Sequence, residues 1–164
     1  MKKILIVLVI ICYIISLGSC GLIPNMNELL GYQNEFTEMT VRITDGEQFQ
    51  MCLKNDGEHL FLFFTDGERK DIGYCMDKNG KISMIYEDFS LPLEHEEYLK
   101  CKEWFSLFCL SAGENIWKIK KESLGGIDVF VCHDGIVTAY IDSTTRLPIR
   151  LKTEKTEIDV ISVR

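Results

Sequence analysis

Leu17-Gly18-Ser19-Cys20 sets a thiol directly behind two small residues and an aliphatic one. Small side chains let a peptidase reach the bond before Cys20, and the thiol is a good nucleophile once deprotonated. Other residues able to do chemistry are scattered. His59, His95 and His133 are the only histidines, and none stands at a spacing suited to a nucleophile pair or a metal site. No G-x-S-x-G and no P-loop is present. Asp77-Lys78-Asn79-Gly80 opens like a calcium loop, but such a loop needs glycine at its sixth position and a bidentate glutamate at its twelfth. Ile82 and Asp88 stand there, so the string reads as a hairpin turn. The expectation is a protein that is not an enzyme and holds no metal or cofactor.

What surrounds Cys20 gives its thiol a context. Lys2 and Lys3 precede an apolar run from Ile4 to Leu17, which ends in small residues. That is the layout of a secretory signal peptide. The junction Leu17-Gly18-Ser19-Cys20 resembles the bacterial lipobox. The resemblance implies a diacylglyceryl group on the Cys20 thiol, cleavage before Cys20, and a new amino terminus open to further acylation. An uncleaved anchor is the alternative, because Ile4 to Ile23 is uncharged and about long enough to span a bilayer, which takes ~20 residues. Both readings put the body outside the cytoplasm, since the positive residues stay inside. The localisation expected is the outer face of the cell membrane, held by lipid. Gly21 is not aspartate, so the inner-membrane retention signal of double-membraned bacteria is absent.

Removing residues 1–19 leaves 145 of the 164, enough for one domain with one core. The division expected is a signal peptide over 1–19, a lipidated N-terminal linker over 20–34 and a folded domain over 35–164. The chain has 18 Lys and Arg against 25 Asp and Glu, net −7, and loss of Lys2 and Lys3 takes the remainder to −9. Clustered cations supply most of the affinity for phosphate backbones, so no nucleic-acid partner is expected. Cys52, Cys75, Cys101, Cys109 and Cys132 remain after processing. Cys101 and Cys109 lie eight residues apart on one expected helix, about 12 Å of rise, and cannot bridge. Cys52 and Cys75 fall on strands separated by a third, beyond disulfide reach. Free thiols are expected.

The elements of the body are legible from turns and periodicity. Asp45-Gly46, Asp56-Gly57, Asp66-Gly67, Asn79-Gly80 and Asp134-Gly135 are five candidate reversals. Between them "EQFQMCLKN" sets Phe49, Met51 and Leu53 on one face, "KISMIYE" sets Ile82, Met84 and Tyr86 inward, and "PIRLKTE" alternates Ile149, Leu151 and Thr153 with charged residues. "HLFLFFT" is apolar on both faces, so it is either covered twice or carries an exposed patch. One segment breaks the rhythm. "LPLEHEEYLKCKEWFSLFCL" has Glu94, Glu96 and Glu97 at its start, favourable at the positive end of a helix dipole, and Gly113 as a stop. Tyr98, Cys101, Phe105 and Phe108 recur at helical spacing, widened by Trp104, Leu107 and Leu110. The fold expected is α+β: a strongly curved antiparallel β-sheet, a half-barrel of about ten strands, five before the helix and five after, wrapped on one central α-helix.

This layout, together with Ile141-Asp142-Ser143-Thr144-Thr145-Arg146-Leu147-Pro148 ahead of an alternating strand, resembles the LolA/LolB-like half-barrel. It is also similar to small lipoproteins of clostridia-type bacteria that carry a phrase like "GKISMIYEDFSLPL" ahead of the helix. The likeness covers Phe36 to Arg164, with Arg146 where glycine is common. In the named family the hollow under the helix accepts acyl chains or other apolar ligands. The resemblance implies such a ligand here, facing Leu62, Met84, Tyr98, Phe105 and Phe108. The alternative is a surface interaction protein with a filled core that docks a protein partner, with an apolar patch expected near Phe61 and Phe63. The anchor has a direct test: Cys20→Ala should retain its signal and lose incorporation of labelled fatty acid, and unchanged processing would overturn the lipobox reading.

Overall fold

The computed structural model describes residues 23–65, 67–113 and 116–164. The signal peptide, Leu17, Gly18, Ser19 and Cys20 lie outside the described residues. Among the described residues no helix is long and apolar enough to cross a membrane. A four-residue helix α1 (Met26–Leu29) and a 3₁₀ turn (Gly31–Asn34) lead into six strands: β1 (Glu38–Asp45), β2 (Glu47–Asn55), β3 (His59–Phe64), β4 (Ile72–Asp77), β5 (Ile82–Tyr86) and β6 (Phe89–Leu91). Helix α2 (His95–Phe108) follows. Five more strands complete the chain: β7 (Lys118–Leu124), β8 (Ile127–His133), β9 (Thr138–Asp142), β10 (Pro148–Lys152) and β11 (Glu157–Val163).

All eleven strands join one antiparallel sheet, in the order β6-β5-β4-β3-β2-β1-β11-β10-β9-β8-β7. The sheet is open, with β6 and β7 as its edges. Each run of strands is a meander made by tight turns, and the two meet where β1 pairs β11, with Met39 opposite Val163 and Thr44 opposite Glu157. The chain end locks this seam: the amides of Thr37 and Glu38 both donate to the Arg164 carbonyl, and the Arg164 amide donates back to Glu38. Helix α2 carries the chain from the β6 edge to the β7 edge. The turns after β2 and β4, at Gly57 and Gly80, lie at one end of the strands, and those after β1 and β8, at Gly46 and Gly135, lie at the other.

One face of the sheet is apolar. Met39, Val41 and Ile43 of β1, Met51 and Leu53 of β2, Leu62 of β3, Leu151 of β10 and Ile158 of β11 are fully buried there with Phe105 and Leu107 of α2. The glycines of all five Asx-Gly pairs adopt positive φ, as tight reversals require. Gly67 differs from the other four in opening a short 3₁₀ turn (Gly67–Arg69) on the way to β4. Arg146 also has positive φ, 62°, a conformation that costs a residue with a Cβ roughly 1–2 kcal/mol. Its guanidinium lies 4.8 Å from the centre of the Phe130 ring, a cation–π contact that offsets part of that cost.

In the strands and the N-terminal segment the structure departs from the sequence reading in four places. It has eleven strands, because Phe89–Leu91 pairs with β5 before Pro92 ends the run. Tyr86, expected inward, is largely exposed near the β6 edge, where no further strand shields it. In β10 an irregularity between Pro148 and Arg150 shifts the phase, so Pro148 and Leu151 point inward and Ile149 does not follow Leu151. The fourth concerns the segment read as a linker up to residue 34. Pro24, Met26, Leu29, Leu30 and Tyr32 are buried, and all but Pro24 belong to the one core cluster. Asn25 caps α1, its Oδ1 accepting from the Glu28 amide at 3.0 Å while its Nδ2 donates to Glu28 Oε1 at 2.7 Å, a reciprocal arrangement akin to a capping box. The Asn55 side chain then ties β2 to this segment by donating to the Gln33 carbonyl at 3.3 Å. Leu29→Ala should therefore destabilise the domain by about 2–5 kcal/mol, seen as a lower urea midpoint, whereas a true linker residue would give no shift.

Candidate functional site

Helix α2 is the one element that could uncover the apolar face, so its attachment defines the candidate site. Its buried stripe is Cys101, Trp104, Phe105, Leu107 and Phe108. Glu96 and Glu97 stand in the first turn, where the helix dipole favours them. Glu94 is the N-cap and makes no side-chain capping bond. The helix stops at Phe108, before the expected Gly113, because Leu110 turns back into the core.

Among the described residues, three sets of hydrogen bonds fasten the helix to the sheet. Near its start the Tyr74 hydroxyl donates to Glu97 at 2.8 Å. Burial, and then that bond, push the Tyr74 pKa far above the usual phenol value, so the hydroxyl stays a donor. In the middle Trp104 Nε1 donates to Asp45 at 3.1 Å. Glu103 Oε1 accepts from both Thr153 and Thr156 hydroxyls, at 2.7 and 2.9 Å, and Thr156 is the buried polar residue of the described structure. Phe49, Phe64, Tyr74 and Trp104 form a closed ring of tilted and edge contacts between 5.6 and 6.1 Å. Arg69 lies over Phe49 and Phe64, and Lys100 over Phe49 and Trp104, so the protein's own cations cap that box.

Open clefts border the helix among the described residues. One, about 570 Å³, runs along its outer side between Leu99, Lys102 and Ser106 and the turns carrying Ile136 and Glu154. Leu99 is 50% exposed and Ile136 77% exposed. A second, about 440 Å³, lies at the C-terminal end of the helix, with Phe36, Leu60, Met76 and Phe108 among its lining and Glu58 and Lys78 on its rim. The third, about 320 Å³, opens at the aromatic box.

The five residues expected to face a ligand share one core. Leu62, Phe105 and Phe108 are buried, and Met84 and Tyr98 are partly buried against them. Leu62 and Phe105 are 0% exposed, which leaves them no surface that water can reach. Of the five, Phe108 lines the cleft at the helix end. The face of the sheet away from the core has its own apolar strip: Phe61 and Phe63 stack with centroids 6.0 Å apart, His59 leans on Phe61, and all three are half-buried. The Phe63 ring rests on Gly73, where a Cβ would meet it at 2.3 Å.

The five described cysteines are free. Burial pushes the Cys101 thiol up to about 12 and the Cys132 thiol to about 11, so both are thiols and poor nucleophiles near neutrality. His59 pairs with Asp56 at 3.3 Å, and His133 Nδ1 lies 3.0 Å from both the Val137 carbonyl and the Thr138 hydroxyl. Asp77, the head of the calcium-like string, is spent on its turn, where Oδ1 accepts from the Asn79 and Lys81 amides. Those turn bonds hold its carboxyl below the usual range. Among the described residues no cluster of three His, Cys, Asp or Glu is placed to hold a metal. The fastenings at Asp45, Glu103, Thr153 and Thr156 escape sequence reasoning, since nothing in a one-dimensional pattern joins residue 103 to a turn fifty positions later.

No protein-family model matches this chain, and no curated protein matches it in sequence. Among solved structures it is similar to a putative outer membrane lipoprotein-sorting protein domain from Vibrio parahaemolyticus, at a TM-score of 0.39 and 10% identity, over 84% of this chain and 90% of that one. At that score the likeness has no bearing on function. The fastenings can be tested directly. Glu103→Ala would strand two hydroxyls, one of them buried, and should cost about 1–3 kcal/mol in urea unfolding, while Glu103→Gln, which keeps an acceptor, should cost less.

Proposed function

We propose that the protein is a non-catalytic binding module on the outer face of the cell membrane, anchored by lipid at Cys20, with its sheet curved as a half-barrel around α2. In this reading the interior is filled and recognition happens at the surface. The observation that carries it is the absence of accessible surface at Leu62 and Phe105, beside a groove of about 570 Å³ flanked by exposed Leu99 and Ile136. Exposed apolar side chains on both walls of a groove suit a partner that brings a buried anchor residue of its own. The mixed charges of Lys102, Glu103, Glu154 and Lys155 around it suit a polar rim. The partner class is a protein domain exposed outside the membrane.

A second reading keeps the apolar ligand, an acyl chain or lipid. It is favoured by Phe108, where the apolar stripe of the helix meets the open cleft with Phe36, Leu60 and Met76. An acyl chain would enter there and would have to lift α2 to reach Leu62, breaking the three fastenings.

One experiment separates the two. A photo-crosslinking residue at position 99 of the full-length protein, expressed in cells, should give a discrete protein adduct that Ile136→Asp abolishes without loss of fold by circular dichroism. Adducts to lipid alone, with acyl lipid recovered by mass spectrometry from the purified protein, would favour the second reading. No specific adduct and no lipid would overturn both.

A further inference from the structure

Phe49 of β2, Phe64 of β3, Tyr74 of β4 and Trp104 of α2 close a ring in which each neighbouring pair is inclined by 51–81°. Rings at such angles stand as walls, whereas a parallel stack would offer only its two ends. The cleft of about 320 Å³ opens on them, at the lower end of the range for small-ligand sites. Phe49 and Phe64 also line a neighbouring cleft of about 330 Å³, and Arg69 borders both.

What lies on these walls shows which ligand chemistry suits them. Arg69 Cζ is 5.5 Å from the centre of the Phe49 ring and 5.7 Å from that of Phe64, and Lys100 Nζ is 5.6 Å from both Phe49 and Trp104. Positive charge is drawn there by the negative face of each ring quadrupole. The two resident cations are loosely held. Both lie near the ~6 Å limit of the interaction. Arg69 is exposed and the Lys100 side chain is 40% exposed, so each keeps much of its hydration and can leave the rings at small cost.

Negative charge stands beside the walls. Glu97 accepts from the Tyr74 hydroxyl at 2.8 Å and Asp45 from Trp104 Nε1 at 3.1 Å, and the two bonds also fix the orientation of those rings. Glu94 and Glu96 line the same cleft. A cation bearing N–H groups would need acceptors of its own, and one oxygen of each of the two nearest carboxylates is already used. A methylated cation needs none. It requires ring faces, adjacent negative charge and shelter from water.

We infer that the aromatic cleft is a binding site for a quaternary ammonium group, with Phe49, Phe64, Tyr74 and Trp104 as its walls and Arg69 and Lys100 as a displaceable cap. Arg69 is the outer part of that cap, on the exposed turn between β3 and β4, and its side chain withdraws to admit the ligand. The site goes beyond the docking groove proposed above and shares no lining residue with it, so either can fail without the other.

The test follows the two indole N–H signals of the full-length protein in phosphatidylglycerol nanodiscs by NMR, during titration with choline chloride against sodium chloride at equal ionic strength. The Trp104 signal should shift saturably with choline. The Trp117 signal, whose Nε1 donates to the Ser111 carbonyl outside the cleft lining, should not. The uncharged analogue of choline, with carbon in place of nitrogen, should bind roughly tenfold more weakly, and Phe49→Leu, which keeps apolar bulk but removes a ring face, should weaken choline by about as much. Arg69→Gln should strengthen choline binding several-fold, because the competing cation is gone; it replaces an exposed side chain and so reports even if Phe49→Leu does not fold. A Trp104 signal that stays put in both the native chain and Arg69→Gln overturns the site. So does equal affinity for the uncharged analogue, or an Arg69→Gln chain that binds choline no more tightly. In nanodiscs containing phosphatidylcholine, a Trp104 signal already shifted before choline is added assigns the group to a lipid headgroup, and one that still responds only to choline assigns it to a free solute.

Discussion

Every part of this molecule depends on the pairing of β1 with β11. The two strands come from opposite ends of the described chain, and their ladder joins two meanders that would otherwise be separate sheets of six and five strands. Without it the apolar faces of β2 and β10 would have no common surface, and α2 would have half a platform. The seam is reinforced where Arg164 exchanges backbone bonds with Glu38. Such a contact closes nearly the whole chain into a loop, so it forms only after much entropy has been lost. The local hairpins, with their Asx-Gly turns, lower that cost by presenting each meander partly assembled.

On that platform the helix is held by two kinds of force. The apolar stripe supplies most of the stabilisation, through the area that Trp104, Phe105, Leu107 and Phe108 remove from water. The polar fastenings add direction. Glu97 reaches β4, Trp104 reaches the end of β1, and Glu103 reaches the turn between β10 and β11. They span both meanders, so the helix also clamps the seam from above. The N-terminal segment adds to the same core through Tyr32 and Phe36, and Phe36 lines a cleft with Phe108.

The two apolar features outside the core differ in kind. The groove between Leu99 and Ile136 leaves both side chains exposed. The stacked Phe61 and Phe63 on the face away from the core are better understood as self-packing, because Gly73 provides a seat for the Phe63 ring and both rings are half-buried. The two-faced character of β3 seen in the sequence is thus resolved within the sheet.

By itself the sequence determined the turns, the alternation of most strands, and the long helix with its buried stripe. These are local properties: a positive φ at glycine, a period of two or of 3.6. The start of α1 was equally local, in the pair Asn25 and Glu28, yet polar residues after an apolar run read more readily as a linker. Tertiary structure alone decided that β1 meets β11, that Glu103 serves Thr153 and Thr156, that Leu62 and Phe105 are sealed, and that Met26, Leu29, Leu30 and Tyr32 are core. The reason is that burial and long-range pairing depend on what the rest of the chain brings to a position. A Phe at helical spacing is the same letter whether a ligand or a neighbouring Leu fills the space against it.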